Sequence, residues 1–229
     1  TISVSAFLLN RSSDHRLSLR SSDIVFLPIE DMKKKIDDFN VISIGCGLST
    51  ELSASILFKS TLETLSKLKV PVIIDADGLN LLSKMKDGVK LPKKLIITPH
   101  PKEASRLLNV DGEEIIEKPM MYAKDLSEKY NATTVLKMHS TVVCSQKFEI
   151  YVNDTGNSAL AKAGSGDVLT GMISGLCAQG MNCFEAAKLG VFLHGKAGEI
   201  ASGMLSEYSV LASDLLRYIP MAIIDVMNN

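Results

Sequence analysis

Short apolar runs alternate along this chain with longer stretches in which apolar residues recur every three or four positions. Strand patterns fall at Ile2–Leu9, Ile24–Leu27, Val41–Ile44, Val70–Ile74, Leu95–Thr98, Thr133–Leu136, Val142–Ser145 and Phe148–Val152. The first alternates Ile2, Val4, Ala6 and Leu8. The runs VISI, VPVII and LIIT are continuously apolar and rich in β-branched residues, as in parallel strands buried on both faces. Between them, Glu51–Leu68 reads as a helix with Leu52, Ile56, Leu62 and Leu65 on one face. Asp111 to Glu114 reads as a capping box opening another, with Pro119 breaking that helix or delaying its start. Helical patterns over Val168–Ala178, Phe184–Ser202 and Val210–Tyr218 finish the chain. Strand–helix alternation predicts a doubly wound α/β sandwich with its ligands at the carboxyl ends of the strands.

The residues after each strand therefore matter most. VISI leads to Gly45-Cys46-Gly47, and PVII to Asp75-Ala76-Asp77-Gly78-Leu79-Asn80. LIIT leads to Pro99-His100-Pro101, and TVL to Lys137-Met138-His139-Ser140-Thr141. Ten of the 15 glycines lie between Gly156 and Gly203, and there Gly164-Ser165-Gly166-Asp167 opens an apolar helix. Glycines let the backbone approach a ligand closely, and free amides at a helix start attract anions. Gly164, Ser165 and Gly166 are thus a candidate anion hole with Asp167 as a base beside it, a pairing suited to phosphoryl transfer. The plainer reading makes Asp167 only a helix cap. Asp75 and Asp77 either hold magnesium through water or cap the next turn. His100 is presented rigidly between two prolines, or is simply solvated. The Lys137–Thr141 segment is either a polar hairpin turn or the floor of a nucleotide site. Gly190 to Ala197 nearly fits a phosphate-binding loop, but lacks the magnesium-binding Ser or Thr and reads as close helix packing with a structural His194.

At 229 residues the chain is long enough for one large domain with a sizeable core, and no linker or repeat divides it, so residues 1–229 are read as a single domain. Lys and Arg (25) balance Asp and Glu (26), and aromatics are 5%, which offers no basic footprint or stacking platform for nucleic acid and no attraction to anionic membrane. Cys46, Cys144, Cys177 and Cys183 form no CxxC or metal-type spacing and read as reduced thiols in or near the core. With no membrane span or signal pattern, a soluble, cytoplasmic protein is expected.

The ordered set IGCGL, PVIIDADGLNLL, ITPHPKEASRLL, TVLKMHST, NDTGNSALAKAGSGDVLTGMISGLCAQG, AAKLGVFLHGKAGEIA and SVLASDLL closely resembles the ADP-dependent (S)-NAD(P)H-hydrate dehydratases of the ribokinase-like superfamily, from about Val41 to Pro220. The resemblance implies a three-layer α/β/α sandwich with a mostly parallel central sheet. It implies repair of hydrated NADH or NADPH: phosphorylation of the hydrate hydroxyl by ADP (or ATP) with Mg2+, then loss of phosphate, leaving AMP and NAD(P)H. Asp167 matches the catalytic Asp and also contacts substrate. Gly47 and His100 match substrate contacts, and Lys137, Met138, His139, Ser140, Thr141 and Gly166 match nucleotide contacts. Asn157, Asp77 and Asn80 are further candidates, and no direct metal ligand is assigned. A homo-oligomer, a tetramer by resemblance, is expected.

Two departures stand out. The family usually has Pro where Cys46 stands and a glycine where Met138 stands; both are backbone-contact loops. Family members also carry a strand, a glycine-rich loop and a helix ahead of the region matching Ile2–Leu9, so a rough sheet edge and an impaired substrate site are expected here. The competing readings are a ribokinase-like kinase for a vitamin-precursor alcohol and a truncated, non-catalytic nucleotide-binding remnant.

Overall fold

The computed structural model describes residues 6–9, 36–85 and 89–228. The strand expected at Ile24–Leu27, and the first half of that expected at Ile2–Leu9, lie outside the described residues. Seven strands form one sheet: β1 (Ala6–Leu9), β2 (Val41–Ile44), β3 (Val72–Ile74), β4 (Leu95–Ile97), β5 (Thr133–Leu136), β6 (Val142–Cys144) and β7 (Ile150–Val152). The first five are parallel, and β5, β6 and β7 continue as an antiparallel meander. Among the described residues the helices are α1 (Leu52–Leu65), α2 (Asp77–Ser83), α3 (Pro101–Leu108), α4 (Gly112–Glu117), α5 (Pro119–Tyr130), α6 (Ser165–Ala178), α7 (Cys183–Leu205) and α8 (Ala212–Asn228). None of them is long and apolar enough to cross a membrane.

Among the described residues the spatial order of the strands is their chain order, without the reversal that the double winding predicted from the alternation would need. Crossovers of one hand between consecutive parallel strands carry their helices to one face. On that face Ile42, Ile44, Val72, Ile74, Leu95 and Ile97 pack under Phe58 and Leu62 of α1, Leu79 of α2, Leu107 of α3 and Leu126 of α5. The alternate residues Val41, Ile73, Ile96, Val135 and Val143 face the other way, where Leu169 and Ile173 of α6 and Val191 of α7 cover them. The result is the expected three-layer sandwich, closed on its second face by helices that follow the sheet in sequence.

Three local expectations change. In α1 the buried stripe is Ala54, Phe58, Thr61, Leu62 and Leu65, while Leu52 and Ile56 are 77% and 62% exposed. Those two stand two positions off the stripe, about 200° around the helix. Asp111 caps α4 through the Glu113 amide, but Glu114 bonds the Tyr122 hydroxyl at 2.7 Å instead of completing a capping box. The chain then turns at Lys118 and restarts at Pro119. The last helix runs past Tyr218 and through Pro220, because Ala222 is buried against Leu193 and Ala197 of α7.

Candidate active site

The carboxyl ends of β2, β3, β4 and β5 meet the start of α6. Asp75, directly after β3, is 2% exposed and has its carboxylate filled. Oδ1 accepts from Lys137 Nζ at 2.7 Å and from the Ala76 amide at 2.8 Å, and Oδ2 accepts from Thr170 Oγ1 at 2.7 Å. An ion of this kind is tolerated inside a protein only when paired and fully hydrogen-bonded, and removing one partner leaves a buried charge. The pair joins two strand ends 62 residues apart in sequence and holds the ammonium toward α6: a Cβ on Gly166 would lie 3.5 Å from Lys137 Nζ.

The β2–α1 loop is held from below. Asp77 Oδ2 accepts the Ser49 amide at 2.8 Å, which fixes the turn containing exposed Gly47 (φ 66°). Asp77 is therefore a loop clamp. Ala76, between the two aspartates, is held at φ 49°, ψ −122°, a conformation that costs an L-residue on the order of 1–3 kcal/mol and persists only where its surroundings impose it. Asn80, the other candidate in this stretch, accepts from Arg106 at 2.7 Å.

His100 is the cap of α3. Its Nδ1 accepts from the Lys102 and Glu103 amides at 3.1 and 3.4 Å, and Glu103 returns the bond by accepting the His100 amide at 2.9 Å. An accepting Nδ1 needs the neutral ring. Partial burial, with Lys137 and Arg106 nearby, lowers the His100 pKa accordingly. The ring remains 45% exposed at the edge of the cavity described next.

A cavity of about 830 Å³ opens beside Lys137. Lys137, Met138, His139 and Thr141 line one side, Asn157 the second, and Ser165 and Gly166 the third. The Lys137–Thr141 segment is the hairpin turn between β5 and β6, and four of its five residues line the cavity. Thr141 Oγ1 donates to the Met138 carbonyl at 3.2 Å and stiffens the turn. Gly47, Ser140, Gly164, Asp167, Asp77 and Asn80 are not in the lining.

At the start of α6 the anion hole needs one correction. The Ser165 amide donates to the Lys162 carbonyl at 3.2 Å, so the helix-start amides left open among the described residues are those of Gly166 and Asp167. Gly164, at φ 88°, makes the left-handed turn that aims them outward. Asp167 is exposed at the third helical position. Its carboxylate reaches Cys46, and the ligand atoms of Cys46, Asp75 and Asp167 all lie within 4.8 Å of one another. Burial and then the two carboxylates push the Cys46 thiol well up, so it stays a neutral thiol.

His194, which the sequence reading left out of the site, supports Ser165 from behind. Ser165 Oγ lies 3.2 Å from His194 Nε2, and both side chains are buried. Burial drives the His194 pKa down to about 4. The Gly190–Ala197 segment is helix interior: a Cβ on Gly190 would come within 2.7 Å of Ile173, and one on Gly195 within 2.0 Å of Thr155.

A pH effect follows from His194. The unfolded chain binds a proton near pH 6.5 that the folded chain refuses until about pH 4, so stability is whole above pH 6.5 and falls as pH drops toward 4. The loss attributable to this residue should reach about 3 kcal/mol. Urea unfolding at pH 7, 6, 5 and 4 should show it, and His194→Gln should flatten that part of the profile; an unchanged slope in the variant excludes His194 as the source.

A family profile described as NAD(P)H-hydrate dehydratase matches residues 15–221. The ADP-dependent (S)-NAD(P)H-hydrate dehydratase of Neisseria meningitidis is 41% identical over 204 residues, covering 84% of this chain and 68% of the relative. Among solved structures, the ADP/ATP-dependent NAD(P)H-hydrate dehydratase of Bacillus subtilis co-crystallised with ATP and Mg2+ superposes with a TM-score of 0.72 at 32% identity, covering 80% of this chain and 64% of that one. A ribokinase-like superfamily protein from Enterococcus faecalis gives a TM-score of 0.83 at 26% identity over 95% of this chain and 75% of that one. The chain spans 36% of the length of one curated relative and 68% of another.

Proposed function

The chain belongs to the NAD(P)H-hydrate dehydratase family, and we propose that it repairs the (S)-hydrates of NADH and NADPH, with ADP as the phosphoryl donor. The observation that carries this reading is the meeting, at one sheet edge, of an exposed Asp167, the open Gly166 and Asp167 amides and the Lys137 ammonium. The adenine nucleotide occupies the cavity over Lys137–Thr141, with Asn157 opposite, and its phosphates meet Lys137 and the helix-start amides. The hydrate lies toward Gly47 and His100. Asp167 takes the proton from its hydroxyl as that oxygen attacks the terminal phosphoryl group; the amides and Lys137 stabilise the charge that develops. The bond from that phosphoryl group to AMP breaks as the new ester forms, so AMP leaves at this step; loss of phosphate from the ring carbon and of a proton from the carbon beside it then restores the reduced nicotinamide.

The oxygen donors present fit magnesium in one way. Both oxygens of Asp75 are already hydrogen-bonded and the Cys46 thiol is a soft donor, so Asp167 is the carboxylate that would hold a magnesium ion arriving with the phosphates. Magnesium bound there would neutralise phosphate charge. The exposed Leu216, Ile224 and Met227 of α8 are apolar surface that a homo-oligomer would cover, in line with the tetramer that the resemblance implies.

The test is incubation with ADP, magnesium and (S)-NAD(P)H hydrate while following the absorbance of reduced nicotinamide. Recovery with one AMP and one phosphate per nicotinamide is expected. A folded sample that binds ADP and recovers nothing overturns the reading in favour of a nucleotide-binding remnant. ADP released from ATP with a vitamin-precursor alcohol, without action on the hydrate, overturns it in favour of a kinase.

A further inference from the structure

At the opposite end of the sheet from the proposed active site is a second cavity, of about 710 Å³. It is lined by residues that precede β3 and β4, by the β6–β7 turn, and by the junction of α6 with α7. Two of the four cysteines open onto it. Cys177 lies in the last turn of α6 and is buried (4% exposed); Cys183 is the first residue of α7 and is partly exposed. Only the short turn through Gly180, at φ 97°, separates them, and both side chains line the same cavity. Lys69, Lys94 and Lys147 line the same cavity, as do Glu149 and Glu185. Glu149 is engaged by Ser145 and Glu185 by Lys188.

The two thiols are not equivalent. Cys183 stands where the amides of a 23-residue helix start, with Asn182 as the cap, and a helix start favours a thiolate. The neighbouring Cys177 thiol, with Lys94 assisting, lowers the Cys183 pKa, whereas the Cys183 thiol and burial raise that of Cys177. Reactive thiols are exposed and thiolate-like, and they work best beside a second thiol that can resolve them. Cys46 and Cys144 are buried, and both thiols are pushed up by burial.

We propose that Cys177 and Cys183 form a peroxide-oxidisable dithiol, a modification site separate from the proposed active site. The Cys183 thiolate attacks one oxygen of a hydroperoxide, the O–O bond breaks, and the other oxygen leaves as water or alcohol once protonated. That gives a sulfenic acid on Cys183. The Cys177 sulfur then attacks the Cys183 sulfur, the S–O bond breaks and water leaves. Two thiols lose two protons and two electrons, and one peroxide is reduced. The disulfide closes the α6–α7 turn, and thiol–disulfide exchange with a reducing dithiol reopens it.

The experiment uses the full chain with hydrogen peroxide, then alkylation, trypsin and mass spectrometry. No Lys or Arg lies between Lys162 and Lys188, so both cysteines fall in one peptide, residues 163–188. That peptide should become about 2 Da lighter and refuse the alkylating reagent, and should do so roughly tenfold faster in the folded chain than in urea. Cys183→Ser, at a partly exposed position, should abolish the change. Cys177→Ala should leave a sulfenic acid on Cys183 that dimedone captures. Alkylation of both thiols after peroxide, or a rate unaltered by urea, overturns the proposal. Capture of dimedone at Cys46 or Cys144 instead of Cys183 overturns it as well.

Discussion

Asp167→Asn is expected to lower the rate of nicotinamide recovery about a thousandfold, the range in which a positioned general base contributes. Asn has almost the same shape and can keep the contact with Cys46, but it cannot accept the hydroxyl proton. Folding should barely notice. A carboxylate in the first turn of α6 gains only about 0.3–1 kcal/mol from the helix start, and Asp167 is exposed. Nucleotide affinity should stay within about threefold, because Lys137 and the open Gly166 amide are untouched. Initial rates with saturating ADP, beside calorimetric titration of ADP, separate the two effects. A variant keeping a tenth or more of the rate removes Asp167 from the role of base. A variant that loses rate and ADP affinity together makes it a binding residue.

The reason Asp167 was legible in the sequence, and its neighbours less so, is physical. A parallel strand buried on both faces must be continuously apolar, so VISI, VPVII and LIIT show where the sheet ends and the polar loops begin. Glycines that must turn the backbone before a helix mark Gly164–Gly166 equally well. What one segment cannot show is its partner. Asp75 is a carboxylate placed right after a buried strand, which signals that a cation must meet it, but the cation is Lys137 across two strands, and the third partner, Thr170, lies on another layer. The Ser165–His194 contact joins two helices in the same way. His100 hid its structural part because histidine is not among the usual cap residues, although Glu103 three positions on was a fair sign. The winding of the sheet was out of reach because strand patterns fix where strands are and say nothing of their order in space.

Gly45→Ala is expected to cost more than about 4 kcal/mol, enough to leave little folded protein. Gly45 directly follows β2 at φ 126°, where an L-residue is strained whatever the room around it. There is also no room: its Cβ would stand 1.9 Å from the Asp75 carbonyl oxygen, 2.7 Å from the Gly78 nitrogen and 2.9 Å from Gly78 Cα. All three are backbone atoms, fixed by the Asp75 amide on Ile44 and the Gly78 amide on Asp75. No rotamer change relieves the overlap, so either β2 and β3 separate or the Asp75–Asp77 turn moves. That turn carries the carboxylate that holds Lys137 and the one that holds the Gly47 loop, so stability and the proposed site depend on the same glycine. A contrast variant isolates the steric cause. Gly175→Ala in α6 puts a Cβ into open space within a helix, and should stabilise the protein by up to about 1 kcal/mol. Thermal and urea unfolding of the two variants should therefore move in opposite directions. A Gly45→Ala protein that unfolds within about 1 kcal/mol of the parent would mean that the β2–α2 crossing yields, and the close approach would lose its part in setting Asp75.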